Sequence, residues 1–364
     1  MTGHREGAAS RARSASIRDV ASAAGVSYQT VSRVINDNPS VKPTTRQTVL
    51  EAIERLAYRP NRAARALAGG PVESVTVLTS NTRLYGPASA LEGIEVAARA
   101  AGFALGVRVV EAARAETVRD AVERAIYPAS SLIVIAFDRA GVAVLRAVPP
   151  EIPMAAIVET PAPGDPVDDL WVWIDDWEAA HTATDYLLKL GHETVHYVPI
   201  PASTGTSQRM LGWRSALEEA GAPAPKPERA GWDPAAGYSA GKRLAKDKSV
   251  TAILCGNDDV ALGVIRAMHD AGRPVPGSIS VVGFDDAPLA SYCYPSLTTV
   301  RQDFYSLGKA CFAKLLSALN PLGAEQPPGH PRAELVVRES ADSPAPGASP
   351  PVRVSPRQSG KKRP

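Results

Sequence analysis

Residues 25–39 read GVSYQTVSRVINDNP. Gly25 ends one segment, Ser27 brings a hydroxyl that can open a helix, and Asn36-Asp37-Asn38-Pro39 closes it after roughly nine residues. A helix that short is marginal alone and must be propped by its neighbours. Val31, Val34 and Ile35 fall on one side of it. Gln29 and Arg33, four residues apart, project from the other side, and Tyr28 sits at the N-terminal edge. The props lie to either side. Ser16-x-x-Asp19 is a capping-box pattern that starts a first helix, and Gly25 is placed to stop it. A third helix is predicted from about Thr44 to Ala57, with Val49, Ile53 and Leu56 at helical spacing. Two short helices joined by a Gly-containing turn, the second with long polar side chains on its free face, make a helix-turn-helix. Such a face suits a DNA major groove, about 12 Å wide, where Arg can fork onto guanine and Gln onto adenine.

A plain three-helix bundle would show much of the same pattern, and charge argues against it. The net charge of the chain is only +2. Residues 1–70 nevertheless carry +6, residues 71–340 carry −8, and residues 341–364 carry +4. A basic head on an acidic body is expected to meet a polyanion through the head alone. The rest of the composition, 45% hydrophobic and 21% charged over 364 residues, is that of a soluble globular protein with two or three domains. No apolar run nears the roughly 20 residues of a membrane span. The polar start MTGHREGAASRARSAS lacks a signal-peptide core, so a cytoplasmic protein without a membrane partner is expected. Cys255, Cys293 and Cys311 are odd in number and widely spaced, which predicts buried free thiols rather than disulfides or metal ligands.

Residues 1–15 are expected to be disordered and 16–59 to form the DNA-binding domain. Residues 60–70 follow as a hinge segment: Pro60 can begin a helix and Gly69-Gly70 can end it, but Asn61 to Ala68 has too little apolar surface to hold one unaided. From Val75 short apolar runs alternate with amphipathic stretches. VTVLT (75–79) precedes a helix near 88–102, and LIVIAF (132–137) follows. VHYVPI (195–200) precedes a helix near 207–220, VTAILC (250–255) one near 258–271, and ISVVGF (279–284) comes last. That alternation predicts parallel sheets covered by helices, hence an α/β body over 71–340, large enough for two lobes. Residues 341–364, rich in Pro and Ser and basic, read as a disordered tail with no leucine for a coiled coil.

IRDVASAAGVSYQTVSRVIN (17–36), with its A-x-x-A-G-V-S-x-x-T-V-S-R-V-x-N run, resembles the headpiece of the lac-repressor (LacI) family, and the likeness continues through YRPNRAARALA (58–68) to about residue 340. The resemblance implies an operator-binding homodimer. Its DNA contacts would be Arg18, Ser27, Tyr28, Gln29, Thr30, Arg33 and Thr45, with Asn61, Ala64 and Leu67 in a hinge helix that folds on DNA and wedges Leu67 into the minor groove. Arg18 stands where the family's founding member has tyrosine, so the operator need not be the same. The resemblance further implies a periplasmic-binding-protein-like body with a sugar in the interlobe cleft. Arg209, Asn257 and Asp285 would grip hydroxyls, Trp232 and Phe304 would pack on the ring, and Ser80, Leu84 and Pro87 would form the N-lobe wall. Asp285 and Asn257 could instead be helix caps, and Trp232 lobe core. Val158 and Ile135 occupy positions where the founding member has an aspartate and an asparagine, so the ligand need not be a galactoside.

Asp258, Asp285 and Asp286 invite a catalytic reading, but they have no partner base, metal-spaced His or phosphate loop, so no enzyme and no cofactor are expected. A purine co-repressor is an alternative effector; it would want aromatics on both faces, and aromatics are only 5% of the chain. A non-regulatory sugar-binding protein is the alternative from another class.

Overall fold

The structure is a computed structural model that describes residues 15–35, 38, 40–56, 58, 74–111, 114–126, 131–205, 207–229, 231–320 and 331–344. The chain divides into two compact units, Met1–Val72 and Glu73–Pro364. The hinge at 60–70, with Asn61, Ala64 and Leu67, lies outside the described residues, as do 1–14 and 345–364.

In the first unit the helices are α1 (Ile17–Ala24), α2 (Tyr28–Ile35) and α3 (Pro43–Arg55). Ser16 and Asp19 make the reciprocal capping box, and Gly25 caps α1 with φ 64°, a left-handed geometry that glycine adopts without strain. The Ser27 hydroxyl accepts from the Thr30 N–H at 3.2 Å and so starts α2. Val20, Ala21, Val31, Val34, Val49 and Ala52 form the core, with Ile35, Ile53 and Leu56 packed around it.

The second unit opens with β1 (Ser74–Thr79), α4 (Tyr85–Ala100), β2 (Ala104–Val109), α5 (Ala115–Ile126), β3 (Ser131–Ala136), α6 (Arg139–Ala147), β4 (Met154–Val158) and β5 (Trp171–Val172). It continues with α7 (Asp176–Lys189), β6 (His196–Val198), α8 (Gln208–Glu219), α9 (Pro234–Leu244), β7 (Ala252–Cys255), α10 (Asp258–Asp270) and β8 (Ser280–Asp285). A short 3-10 turn at Pro288–Ser291 leads to β9 (Thr298–Arg301), α11 (Phe304–Leu319) and β10 (Glu334–Val336).

Lobe one is a parallel sheet in the order β2-β1-β3-β4-β5, and lobe two is β10-β9-β8-β7-β6 with only β10 antiparallel. Side chains alternate across each sheet, as the period of two requires. In lobe one Val75, Val77, Ile133, Ile135 and Ile157 face α4 and α11, while Leu78, Leu132, Val134 and Val158 face α5 and α6. In lobe two Tyr197, Leu254 and Phe284 face α7 and α8, while Val198, Ile253 and Cys255 face α9 and α10. The chain crosses from lobe one to lobe two between β5 and α7. It returns when α11 packs into the lobe one core, and crosses again when β10 rejoins the lobe two sheet.

Some expectations change. The strand expected over 195–200 ends at Val198, because Pro199 has no N–H to give a ladder. The strand expected from 250 begins at Ala252. The tail was expected from residue 341, yet Ala341 is buried and Asp342 is tied down. The Asp342 carbonyl accepts from Ser280 Oγ at 2.8 Å and from His192 Nε2 at 3.0 Å, and its N–H donates to Ser280 Oγ at 3.0 Å. The three cysteines are free thiols, but only Cys255 and Cys311 are buried; Cys293 is half-buried.

Candidate functional sites: a groove-reading helix and an interlobe cavity

On α2 the residues expected to read DNA are those the packing leaves outside. Tyr28 is 49% exposed, and Gln29 and Arg33 are exposed beside it. Arg18 is exposed on α1. Thr30 and Thr45 are half-buried, and Ser27, exposed, is also the cap of α2. Because Val31 and Val34 are buried, the helix can turn only its Gln29–Arg33 side outward.

In the second unit Ser80, Leu84, Pro87, Arg209, Trp232, Asn257, Asp285 and Phe304, all eight of the expected contacts, line one cavity between the lobes, of about 50 Å³. Seven of them stand at a strand's carboxyl end or the helix start after it, where open parallel sheets place ligands, and Trp232 precedes the α9 cap Asp233. Ser80 follows β1, Asn257 follows β7 and opens α10, Asp285 ends β8, Arg209 is in the first turn of α8, and Phe304 opens α11.

Arg209 is held from three sides. Its Nε donates to Asp176 Oδ1 at 2.9 Å, Nη1 to the Gly256 carbonyl at 2.5 Å, and Nη2 to Gln302 Oε1 at 2.8 Å. The guanidinium lies 4.3 Å from the centre of the Phe284 ring. Burial works against its charge, but the Asp176 and Asp285 carboxylates outweigh that and hold it protonated. Two of its five N–H groups remain unspent. Asn257 is both cap and wall: Oδ1 accepts from the Val260 N–H at 2.8 Å and Nδ2 donates to the Trp232 carbonyl at 3.1 Å, which leaves one amide N–H. Trp232 is half-buried at the cavity wall, not lobe core. The Asp285 carboxylate receives no hydrogen bond from a described residue. Burial pushes it well above the usual carboxylate range, opposed by Arg209 and reinforced by Asp258, Asp176 and Asp259.

Asp258 and Asp286, the other two of the three aspartates that invited a catalytic reading, are structural. Asp258 accepts from Thr299 Oγ1 at 2.6 Å and the Ala287 N–H at 2.8 Å. Asp286 accepts from Arg301 at 2.8 Å and Arg338 at 2.6 Å. Among the described residues no group of three or more His, Cys, Asp or Glu could hold a metal ion.

The cavity also takes Asn81, Tyr85, Phe137, Asp138, Glu159, Asp176, Ile200 and Asp259, which sequence reading did not single out. Glu159 follows β4 and Asp176 opens α7 just past the first crossover, placements that strand periodicity does not announce. Ile135 and Val158 are buried in the lobe one core and line no part of this cavity. The carboxylate on that side comes from the next residue: Glu159 accepts from the N–H of Ser203 at 3.1 Å and from its hydroxyl, across the cleft. Burial raises the Glu159 pKa despite those hydrogen bonds. Although aromatics are scarce, four of them, Tyr85, Phe137, Trp232 and Phe304, gather here. Phe304 makes edge contacts with Tyr85 at 6.1 Å and with Phe137 at 5.7 Å.

A helix-turn-helix unit followed by a two-lobed body with a polar interlobe cavity defines a class of ligand-sensing DNA-binding proteins. Residues 16–61 match the family described as bacterial regulatory proteins, lacI family, and residues 184–341 match the periplasmic binding protein-like domain. The lactose operon repressor of Escherichia coli (strain K12) is 33% identical over 304 residues, covering 82% of this chain and 83% of its own length. The transcriptional repressor PurR of Proteus mirabilis (strain HI4320) is 32% identical over 351 residues, covering 91% and 98%. Among solved structures, the lac repressor dimer bound to operator and the anti-inducer ONPF superposes with a TM-score of 0.78 at 30% identity, covering 91% of this chain and 100% of that one. A complex of the transcriptional regulator CelR with cellobiose gives 0.62 at 25% identity, covering 90% and 100%. The chain belongs to the LacI family and is a DNA-binding transcriptional regulator, not an enzyme. No helix among the described residues is long and apolar enough to cross a membrane.

Proposed function

We propose that this regulator is a homodimeric repressor released from a near-palindromic operator when a sugar binds between its lobes. The observation that carries the sugar is the mix of groups in the cavity. Arg209 and Asn257 keep unspent N–H groups, Asp285 keeps an unpaired carboxylate, and aromatic rings stand beside them. Donors and acceptors at fixed spacing beside an apolar face suit adjacent ring hydroxyls and the C–H face of a pyranose. The relatives fit this reading: one solved neighbour holds cellobiose, and another relative is a lactose operon repressor. One headpiece covers a half-site, so a two-fold dimer is required for a palindrome. Ligand contacts on both lobes would bias the lobe angle and through it the hinge, where Leu67 would wedge into the operator centre. The protein would act in the cytoplasm.

A purine effector is the second reading, favoured by Phe137 and Trp232 at the cavity and by the kinship to PurR. The test is operator binding by fluorescence anisotropy, with and without a panel of sugars and purines, for the wild type and Asp285→Ala. Release of the wild type by a sugar, with Asp285→Ala still binding operator but not released, supports the proposal. Tighter DNA binding with a purine would replace it with co-repression.

A further inference from the structure

Five carboxylates line the effector cavity, those of Asp138, Glu159, Asp176, Asp259 and Asp285, against the single guanidinium of Arg209. Three are already engaged. Asp138 caps α6 by accepting from the Gly141 N–H at 2.8 Å. Glu159 accepts from Ser203, and Asp176 accepts from Arg209 and from Gln302 Nε2 at 2.9 Å. Asp259 and Asp285 receive no hydrogen bond from a described residue, and neither forms an ion pair with one. Arg139 lines a neighbouring hollow, not this cavity. The cavity is a ligand site on independent grounds: Arg209 and Asn257, 8% and 4% exposed, line it with N–H groups left over.

A neutral polyol satisfies hydroxyl-binding groups but leaves two half-buried carboxyls whose ionised form is disfavoured by burial and acidic neighbours, with only Arg209 opposing this at Asp285. A ligand ammonium supplies a counter-charge and makes charge-assisted hydrogen bonds. Its other side can meet aromatic faces, which attract cations. We propose that the effector is a polyhydroxylated ring bearing a protonated amine, an amino sugar or an iminosugar, with its ammonium facing Asp259 and Asp285. This rests on the reading of the cavity as a sugar site. Burial and the charge of Asp233 raise the Asp259 pKa, and Asp285 is raised by burial and by neighbours that include Asp259. A bound cation opposes both shifts, so binding releases protons at any pH where either carboxyl is still protonated.

The experiment is isothermal titration calorimetry on the full chain below the amine's pKa, in two buffers of different ionisation enthalpy. D-glucosamine, D-galactosamine and 1-deoxynojirimycin are compared with D-glucose, D-galactose and the two N-acetyl sugars. Amines are expected to bind at least about tenfold tighter than their neutral counterparts, with proton release. Asp259→Asn should bring that ratio close to one while neutral-sugar affinity changes little. Asp285→Asn, nearly isosteric at a backbone φ of 112°, is the second variant; it should also bring the ratio toward one, with neutral-sugar affinity reduced as well because Asp285 is a hydroxyl contact. Neutral sugars binding as well as or better than amines would overturn the cationic ligand and leave the sugar site standing. Failure of every amine to bind would also overturn it, and hypoxanthine binding where no sugar does would remove the sugar reading itself. An unchanged amine preference in both variants would overturn the assignment to Asp259 and Asp285.

Discussion

Arg33 is exposed on a helix whose other side is fixed by Val31 and Val34 in the headpiece core. Its replacement by alanine should leave the fold intact and cost about 1–3 kcal/mol of discrimination at one base pair per half-site. Competition binding with single-base operator variants measures this, and an unchanged ratio of specific to non-specific affinity would contradict it. Asp258 gives a prediction of a different kind. Burial, only partly offset by Thr299 and the Ala287 N–H, pushes its pKa from 3.8 up to about 7. Between those values the folded protein holds a proton that the unfolded chain has released. Its contribution to stability is therefore present at low pH and lost as pH rises from about 4 to 7, by at most about 1.4 kcal/mol per unit. The wild type's stability relative to Asp258→Asn should shrink across that range in urea titrations. A constant difference would show that the carboxyl titrates normally.

Among the elements, helix pairs rather than single helices decide the packing. A Cβ on Gly308 of α11 would run into the backbone carbonyl of Ala90 on α4, and one on Gly93 of α4 into that of Tyr305 on α11. Backbone cannot yield as a side-chain tip can, so Gly308→Ala should force the helices apart and cost about 1–3 kcal/mol. Thermal melts beside an equivalent change at exposed Gly277, where a Cβ meets only ordinary contacts with Pro274, would show whether the loss is specific; equal melting temperatures would contradict the close approach. The strands and helices around these glycines were legible from alternating apolar runs, since burial on both faces of a parallel sheet leaves continuous hydrophobic stretches such as SLIVIA in β3. Strand ends were less legible, because Pro199 and the turn before Ala252 act through hydrogen bonding, not hydrophobicity.

For the whole molecule, the C-terminal boundary matters. Asp342 satisfies buried His192 and Ser280, whose pairing holds Gly191–His192 to β8. A chain ending at residue 340 should be less stable than one ending at 344 by about 1–3 kcal/mol, the cost of stranding buried polar groups. Chemical denaturation of the two truncations measures it, and equal midpoints would argue that the contact is dispensable. If ligand and operator are coupled through the lobes, the coupling must be reciprocal: whatever factor the effector takes from operator affinity, typically 5–150-fold, operator must take from effector affinity. Titrating effector into the free and operator-bound protein checks this, and unequal factors would rule out a single coupled equilibrium.

By itself, the sequence determined what local chemistry can specify. Caps at Ser16 and Ser27, the glycine stop at Gly25 and the apolar stripe through Val31 and Val34 set the headpiece and turn Gln29 and Arg33 outward. The strand–helix alternation set the α/β body, and the eight expected cavity residues could be named in advance because the chain resembles the LacI family, whose fold places ligands at strand ends and helix starts. Only the tertiary structure decided the rest. Asp176 and Gln302 lie far apart in the chain from Arg209, and the folding of lobe two brings them together, while Glu159 meets Ser203 only across the cleft. Val158 ends β4 in the lobe one core, while Glu159, one residue further, lines the cavity. No local pattern encodes the acidity of the cavity, since it is a sum over five elements that meet only when both lobes are folded.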